Sequence, residues 1–220
     1  YDIIRRFGFG QPTRIGFPGE GAGVVHSLGH WTTYSTTSVS FGYEVGVTPL
    51  QLAAAFSAIV NDGVLVRPVL VARLLDAAGR TIRSLDTPEI VRRVVSSDVA
   101  RYMSHEVLPA VVERGSGSRA RLKGYSVLGK TGTAKVPYRN RSGYEPGAYV
   151  ATFIGAAPVE DPRVVVLAMI RRPNPSLGYY GGTVAAPVVR EILRAALPYL
   201  GVASRELIAA RIDDQRVGEH

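Results

Sequence analysis

Three apolar segments with strand-like composition follow one another in the second half of the 220-residue sequence, and they constrain its fold more than any other feature. These predicted strands are Tyr125–Val136, Tyr149–Ala157 and Arg163–Ile170. Polar connections separate them, one containing Gly147 and the other spanning Pro158–Pro162. Short polar connections join antiparallel neighbours, whereas parallel strands need a long crossover. We therefore expect an antiparallel sheet rather than a doubly wound parallel one.

A helix is predicted after these strands, over Thr183–Leu197. Its helical spacing gives one apolar stripe, with charged residues opposite. The stripe consists of Val184, Val188, Ile192 and Ala196, and the opposite face carries Arg190, Glu191 and Arg194. An antiparallel sheet covered by such a helix is an α+β architecture.

The clearest helix start in the first half is Thr48-Pro49-Leu50-Gln51. Thr48 suits the N-cap, Pro49 suits the first helical position, and Gln51 completes a capping box. Apolar residues occupy almost the whole circumference of Leu50–Val60, so we expect this helix to be buried on most sides. Asn61-Asp62-Gly63 should end it.

Two further strands and a second helix are predicted between residues 64 and 113. The strands are Val64–Leu75 and Thr81–Leu85, joined across Asp76–Gly79. The helix spans Ser97–Glu113, and Pro109 is expected to kink it. Its predicted apolar side comprises Val99, Met103, Val107, Ala110 and Val111.

Composition excludes several classes of function. The sequence has no cysteine, which rules out a disulfide scaffold, a thiolate zinc site and a cysteine nucleophile. The net charge is +8, yet the arginines are scattered and form no basic stripe interleaved with aromatic residues. We therefore expect no nucleic-acid partner. His26 and His30 stand four apart, but Gly29 lies between them and no carboxylate is close, so no metal site is expected.

The start of the sequence has no charged leader and no membrane-spanning segment. The longest nearly unbroken apolar run, Leu50–Val60, has about half the length that a spanning helix needs. Tyr1 opens a stretch in which Ile3 and Phe7 have helical spacing. We interpret the sequence as a fragment whose upstream part, including any membrane anchor, is missing.

Gly124–Thr131 matches the phosphate-binding pattern G-x-x-x-x-G-K-[ST], but its context does not suit a nucleotide site. Such a loop follows an apolar strand and precedes a helix, whereas here a basic polar segment precedes Gly124 and Thr131-Gly132-Thr133 is poor helix material. As a strand, the same segment places Thr131 and Thr133 on one face. Gly132 would let a ligand approach the strand backbone. Two hydroxyls and the Lys130 charge would suit an extended ligand that carries a carboxylate.

The K-T-G signature stands among further segments that resemble, in order, the C-terminal half of the transpeptidase domain of class B penicillin-binding proteins. The matching segments include Phe7–Gly10, Val47–Ala53, Gly124–Ala134, Phe153–Pro158 and Tyr179–Pro187. The resemblance covers residues 1–201, and residues 202–220 are expected to form a charged C-terminal tail. Thr131 after the lysine resembles division-type and sporulation-type members.

The resemblance implies a peptidoglycan D,D-transpeptidase fold and activity without a cofactor. A serine would attack a stem peptide, and β-lactams would acylate that serine. Lys130 and Thr133 are the implied catalytic residues, with the Thr133 N–H forming half of the oxyanion hole. The implied substrate-binding residues are Lys130, Thr131, Gly132, Thr133, Tyr179 and Tyr180. The implied location is the bacterial envelope, at the outer face of the cytoplasmic membrane, with cell-division membrane proteins as partners.

The sequence departs from the family at its nucleophile. No S-x-x-K motif occurs, because Ala120, Val127 and Gly132 stand three residues before the three lysines. No S-x-N motif occurs either, so we expect the fragment alone to be inactive. Glu44 stands where many relatives of the resembled family have glycine, and Ser116-Gly117-Ser118 replaces a Gly-Thr-Gly-like turn. We expect neither departure to touch the chemistry. A non-catalytic penicillin-binding-like module and a β-lactamase or β-lactam sensor remain alternatives.

Overall fold

The computed structural model describes residues 1–85 and 87–209, in two compact units of which the second begins at Tyr102. The first unit contains α1 (Asp2–Arg6), β1 (Val24–Val25), α2 (Ser35–Ser40), β2 (Val45–Gly46), α3 (Pro49–Val60), β3 (Val64–Val66), β4 (Arg73–Leu75), β5 (Thr81–Ser84), β6 (Ile90–Arg93) and most of α4 (Ser97–Tyr102). The second contains α5 (Leu108–Glu113), β7 (Leu128–Pro137), β8 (Tyr144–Ala157), β9 (Val164–Arg171), α6 (Gly181–Val184) and α7 (Ala186–Tyr199).

Helix α3 begins with the capping box that the sequence predicts. The Gln51 N–H donates to the Thr48 hydroxyl at 3.1 Å, and the Thr48 N–H donates to the Gln51 side chain at 2.9 Å. The Gln51 amide also donates to the carbonyl oxygens of Gln11 and Ala22, at 2.7 and 2.8 Å. Every residue from 50 to 60 is buried or half-buried, which confirms the expected burial.

The prediction of a single strand over Val64–Leu75 is wrong. Residues 64–66 form β3, which pairs with β6, and residues 73–75 form β4, which pairs with β5. Pro68 lies between them and lacks the N–H that a continuous strand would need. The hairpin across Asp76 is confirmed, because the Asp76 carboxylate accepts from the N–H groups of Ala78 and Arg80.

The helix predicted over Ser97–Glu113 is interrupted. A π-helical turn, Met103–Val107, separates α4 from α5 just before Pro109. A proline ring collides with the carbonyl four residues earlier, and the wider π turn relieves that contact. Of the predicted apolar side, Val99 is exposed and the other four residues are half-buried. The fully buried residues of this stretch are Ala100, Ser104, Leu108, Pro109 and Val112.

The second unit is built on one antiparallel sheet in the order β7-β8-β9, as expected. Lys130 pairs with Ile154 and Thr133 with Ala151, while Phe153 pairs with Ala168 on the other side of β8. Helices α5, α6 and α7 pack against the sheet. The α+β class with an antiparallel sheet flanked by helices is confirmed.

The stripe predicted for the last helix is wrong by one residue. Val188 and Ile192 are 42% and 43% exposed. The residues that pack into the core around Phe153 are Ala186, Val189, Leu193 and Leu197. The two stripes are both apolar and lie about 100° apart on the helix, so the sheet contact decides which one is buried.

The segment after α7 contacts the region that precedes β7. Val202 packs against the core of the second unit, and its carbonyl accepts from the Tyr125 hydroxyl at 3.0 Å. The Arg205 N–H donates to the Gly124 carbonyl at 2.9 Å, and residues 205–209 are helical. Residues 210–220 of the expected tail lie outside the described residues. Within 1–85 and 87–209, no helix has the length and apolar character needed to cross a bilayer.

Candidate functional site

The Lys130–Thr133 segment lies in β7, at the edge of the sheet. Among the described residues β7 pairs only with β8, so its other edge has no partner strand. The Lys130 side chain is exposed, and its Nζ donates to the Thr131 carbonyl at 2.9 Å. The strand interpretation of this segment is confirmed, because β7 continues through Lys130 where a phosphate-binding loop would begin a helix.

Thr133 contacts the start of α6. Its Oγ1 accepts a hydrogen bond from the Gly181 N–H at 3.2 Å. A Cβ on Gly181 would overlap the Thr152 carbonyl oxygen and lie 2.6 Å from that of Gly132. Only glycine allows this approach of backbone to backbone, so the Gly181-Gly182 pair positions α6 directly over the strands.

Thr131 contacts a residue that the sequence interpretation placed outside the site. The hydroxyl oxygens of Thr131 and Ser116 are 2.8 Å apart, within hydrogen-bond distance. Ser116 lies in the turn between α5 and Ser118. The chain returns through Ser118–Ala120 and brings Ser116 beside β7, a contact that no spacing in the sequence indicates.

Tyr179 and Tyr180 form part of a cluster of three aromatic rings. Tyr179 stacks on Tyr149, with ring centroids 4.1 Å apart and an interplanar angle of 14°. The Tyr179 hydroxyl donates to that of Tyr180 at 3.1 Å, and this hydrogen bond raises the pKa of Tyr179 above its ordinary value. Tyr149 was not predicted, because only the register of β8 opposite Lys135 brings it to this place.

His26 and His30 have the sequence spacing of two metal ligands. The rings of His26 and His30 are 6.3 Å apart and tilted. In the part of the chain that the structure describes, no three side chains of the His, Asp or Glu type come together in a way that would hold a metal ion.

Comparison with known proteins identifies the family. Residues 1–194 match the family described as the penicillin binding protein transpeptidase domain. The chain belongs to this family. It is therefore part of a penicillin-binding transpeptidase domain, and the resemblance to class B penicillin-binding proteins is confirmed.

Curated relatives of this transpeptidase domain come from several bacteria. The chain is 36% identical over 206 residues to stage V sporulation protein D of Bacillus subtilis, covering 94% of the chain and 31% of that protein. It is 38% identical over 200 residues to the probable peptidoglycan D,D-transpeptidase PbpC of Pseudomonas aeruginosa, covering 90% of the chain and 33% of that protein. The chain thus spans about a third of the length of these relatives.

Solved penicillin-binding proteins share the fold. Penicillin-binding protein 3 of Mycobacterium tuberculosis in complex with ampicillin matches with a TM-score of 0.83 and 32% identity, over 93% of this chain and 46% of that one. The transpeptidase domain of penicillin-binding protein 3 from Burkholderia pseudomallei matches with a TM-score of 0.78 and 31% identity, over 93% of this chain and 58% of that one.

Proposed function

We propose that this chain contributes the carboxylate-binding strand of a peptidoglycan D,D-transpeptidase, and that Lys130, Thr131 and Thr133 hold the terminal carboxylate of a stem peptide. The observation that carries the proposal is the position of this segment on β7, an edge strand with one charged amine and two hydroxyls within four residues. An edge strand offers unpaired backbone groups to an extended ligand. The ampicillin complex of a relative supports a ligand of this chemistry.

The proposed reaction is an acyl transfer through a serine ester. The serine attacks the penultimate D-Ala carbonyl, the terminal D-Ala leaves, and an amine of a neighbouring stem peptide resolves the acyl-enzyme. Lys130 supplies positive potential near the carboxylate and joins the proton relay. The Thr133 N–H supplies half of the oxyanion hole, a contribution of about 3 kcal/mol in comparable enzymes. Gly132 lets the ligand approach the backbone.

The nucleophile of this reaction is proposed to lie in a segment outside the 220 residues. Ala120, Val127 and Gly132 stand three residues before the three lysines, so no serine here has the S-x-x-K spacing. The 220-residue chain alone is therefore expected to be inert towards penicillin.

Tyr149, Tyr179 and Tyr180 are proposed to form an aromatic wall beside the substrate. Tyr180 is 58% exposed and therefore offers ring surface to a ligand, and its ring contacts that of Tyr179 at a centroid distance of 4.4 Å. A packing role alone would bury Tyr180 more fully.

The proposed location is the outer face of the bacterial cytoplasmic membrane, with membrane proteins of cell division as partners. Family membership supports the envelope, and Thr131 after the lysine supports a division-type or sporulation-type role. A fluorescent fusion of the full-length gene product should collect at the division septum; uniform distribution around the cell would contradict the septal assignment.

Covalent labelling by a fluorescent penicillin on a denaturing gel tests the proposed activity. The samples are the 220-residue chain, the full-length gene product, and the full-length product carrying Lys130→Ala. Lys135→Ala is the matched control, because Lys135 is an exposed lysine of the same strand.

The proposal expects label on the full-length protein only, strongly reduced by Lys130→Ala and retained by Lys135→Ala. A folded full-length protein without label would overturn the transpeptidase assignment and favour a non-catalytic module. Label on the 220-residue chain would show that the nucleophile lies within it.

A further inference from the structure

The proposed function gives no role to the contact between the Ser116 and Thr131 hydroxyls. The two hydroxyl oxygens are 2.8 Å apart, and both side chains are accessible from the side of β7 that carries Thr133. Ser118, two residues further along the same turn, is exposed and makes no side-chain hydrogen bond with the described residues. Of these two serines, only Ser116 contacts the candidate site.

The backbone holds Ser116 in place. The Gly117 N–H donates to the Val111 carbonyl at 2.9 Å, which ties the turn to the end of α5. A Cβ on Gly117 would lie 2.8 Å from the Phe153 ring, and one on Gly182 would overlap the Ser116 carbonyl oxygen. Close packing on both sides leaves the turn little freedom, so the Ser116 hydroxyl meets Thr131 in a fixed position.

The number of hydrogen atoms on each hydroxyl indicates which group donates in the Ser116–Thr131 hydrogen bond. A threonine hydroxyl has one hydrogen to donate and two lone pairs that accept. A threonine can donate to a carboxylate only if its hydrogen is not already given to another acceptor, so a neighbour that hydrogen-bonds to its oxygen must act as the donor there. The Gly181 N–H does this for Thr133. Ser116 is the group placed to do it for Thr131.

We propose that Ser116 is a positioning residue for substrate recognition: it donates its hydroxyl hydrogen to Thr131 and so orients the Thr131 hydrogen towards the ligand's carboxylate. This inference rests on the proposed function, in which Thr131 binds that carboxylate. Ser116 would affect ligand binding only by acting on Thr131, so its effect should depend on the negative charge of the ligand's carboxylate.

The test compares rates of acylation of the full-length gene product by one fluorescent penicillin, used as the free acid and as its methyl ester. Ser116→Ala should slow acylation by the free acid about five- to tenfold, the effect of about one lost hydrogen bond. Acylation by the ester, which lacks the carboxylate charge, should change less than twofold.

Two matched pairs of variants separate positioning from folding. Ser116→Thr keeps the hydroxyl and should retain the acylation rate. Valine has the shape of threonine without the hydroxyl, so Ser116→Val should behave like Ser116→Ala. Ser118→Ala should retain the rate with both forms of penicillin. When Thr131 is already alanine, Ser116→Ala should cause no further loss, because the hydroxyl through which it acts is absent.

The possible failures are distinguishable. An unlabelled wild-type protein would overturn the proposed function and this inference together. A labelled wild type with Ser116→Val as fast as Ser116→Thr would overturn only the inference. Equal slowing of acid and ester would do the same, since it would indicate a structural role. Melting temperatures of all variants show that the comparison is made on folded protein.

Discussion

Glu44 shows how a single residue accommodates a backbone position that favours glycine. Its φ is +60°, in the left-handed region that costs ordinary L-residues about 1–2 kcal/mol. Its carboxylate accepts a hydrogen bond from the Ser35 hydroxyl at 2.7 Å. Hydrogen bonds from Ser35 and Ser38 lower the pKa of Glu44 below its ordinary value. The Glu44 side chain therefore brings a contact that offsets the strained backbone.

Substitutions at position 44 should separate these two effects. Glu44→Ala loses the carboxylate contacts and keeps the strain, whereas Glu44→Gly loses the contacts and relieves the strain. We expect Glu44→Ala to unfold about 2–4 °C below Glu44→Gly in a thermal scan. An alanine variant at least as stable as the glycine variant would contradict the assignment of strain.

The ion pair of Glu145 and Arg172 should make stability depend on acid pH. Hydrogen bonds and charge from Arg172 hold the pKa of Glu145 below 4.5 in the folded state. A lowered folded-state pKa stabilises the protein above the unfolded value, and this contribution is lost as the pH falls through the folded pKa. In chemical denaturation, Glu145→Gln should be less stable than the wild type at pH 7, and the gap should close well below pH 4.5. Asp161→Asn, a control at a 79% exposed carboxylate 3.7 Å from Arg163, should change stability less.

Among the elements, α3 depends on two capping residues with unequal roles. Thr48→Ala removes one N-cap bond and should destabilise the protein by about 1 kcal/mol, while Thr48→Ser should retain it. Gln51 is 2% exposed and also donates to Gln11 and Ala22, so Gln51→Ala empties a buried position and leaves the Thr48 N–H and two carbonyl oxygens without this partner. We expect that variant to lose about 2–4 kcal/mol in urea unfolding. Equal losses for Thr48→Ala and Gln51→Ala would show that the hydrogen bonds from Gln51 to Gln11 and Ala22 contribute nothing to the free energy of unfolding.

Helix α7 offers a matched test of which stripe faces the core. Leu193 is fully buried and Ile192, its neighbour in sequence, is 43% exposed. Leu193→Ala should destabilise the protein by about 2–5 kcal/mol through loss of burial and formation of a cavity, and Ile192→Ala by less than about 1 kcal/mol. Urea unfolding measures both, and the reverse order would restore the stripe expected from periodicity.

The sequence predicts helices and strands that are determined by neighbouring residues. It does not predict contacts that depend on residues distant in the sequence. The Thr48 cap and the three strands follow from neighbouring residues, and the structure has them. The buried stripe of α7 depends on contact with Phe153, and periodicity cannot choose between two apolar stripes. Ser116 and Tyr149 reach their places only through the turn after α5 and the register of β8. No spacing in the sequence indicates either contact.

The whole molecule is strongly basic, which makes non-specific attraction to polyanions the expected background. With a net charge of +8, the chain should bind duplex DNA weakly at about 50 mM salt and release it by about 200 mM. Fluorescence anisotropy with two unrelated duplexes should show equal affinities. A preference for one duplex that persists at the higher salt would revive a nucleic-acid role.

One edge of β7 has no partner strand among residues 1–85 and 87–209, and this has a consequence for solubility. An edge strand is a template on which a second copy of the same strand can pair, and such pairing leads to aggregation. A strand that is proposed to receive a peptide cannot be covered or bent away. Lys130 and Lys135, both exposed, place two positive charges on the strand, and the same charges on another copy would repel them. The lysine that is proposed to attract a substrate carboxylate would then also keep two molecules of this protein from polymerising through the strand that binds it.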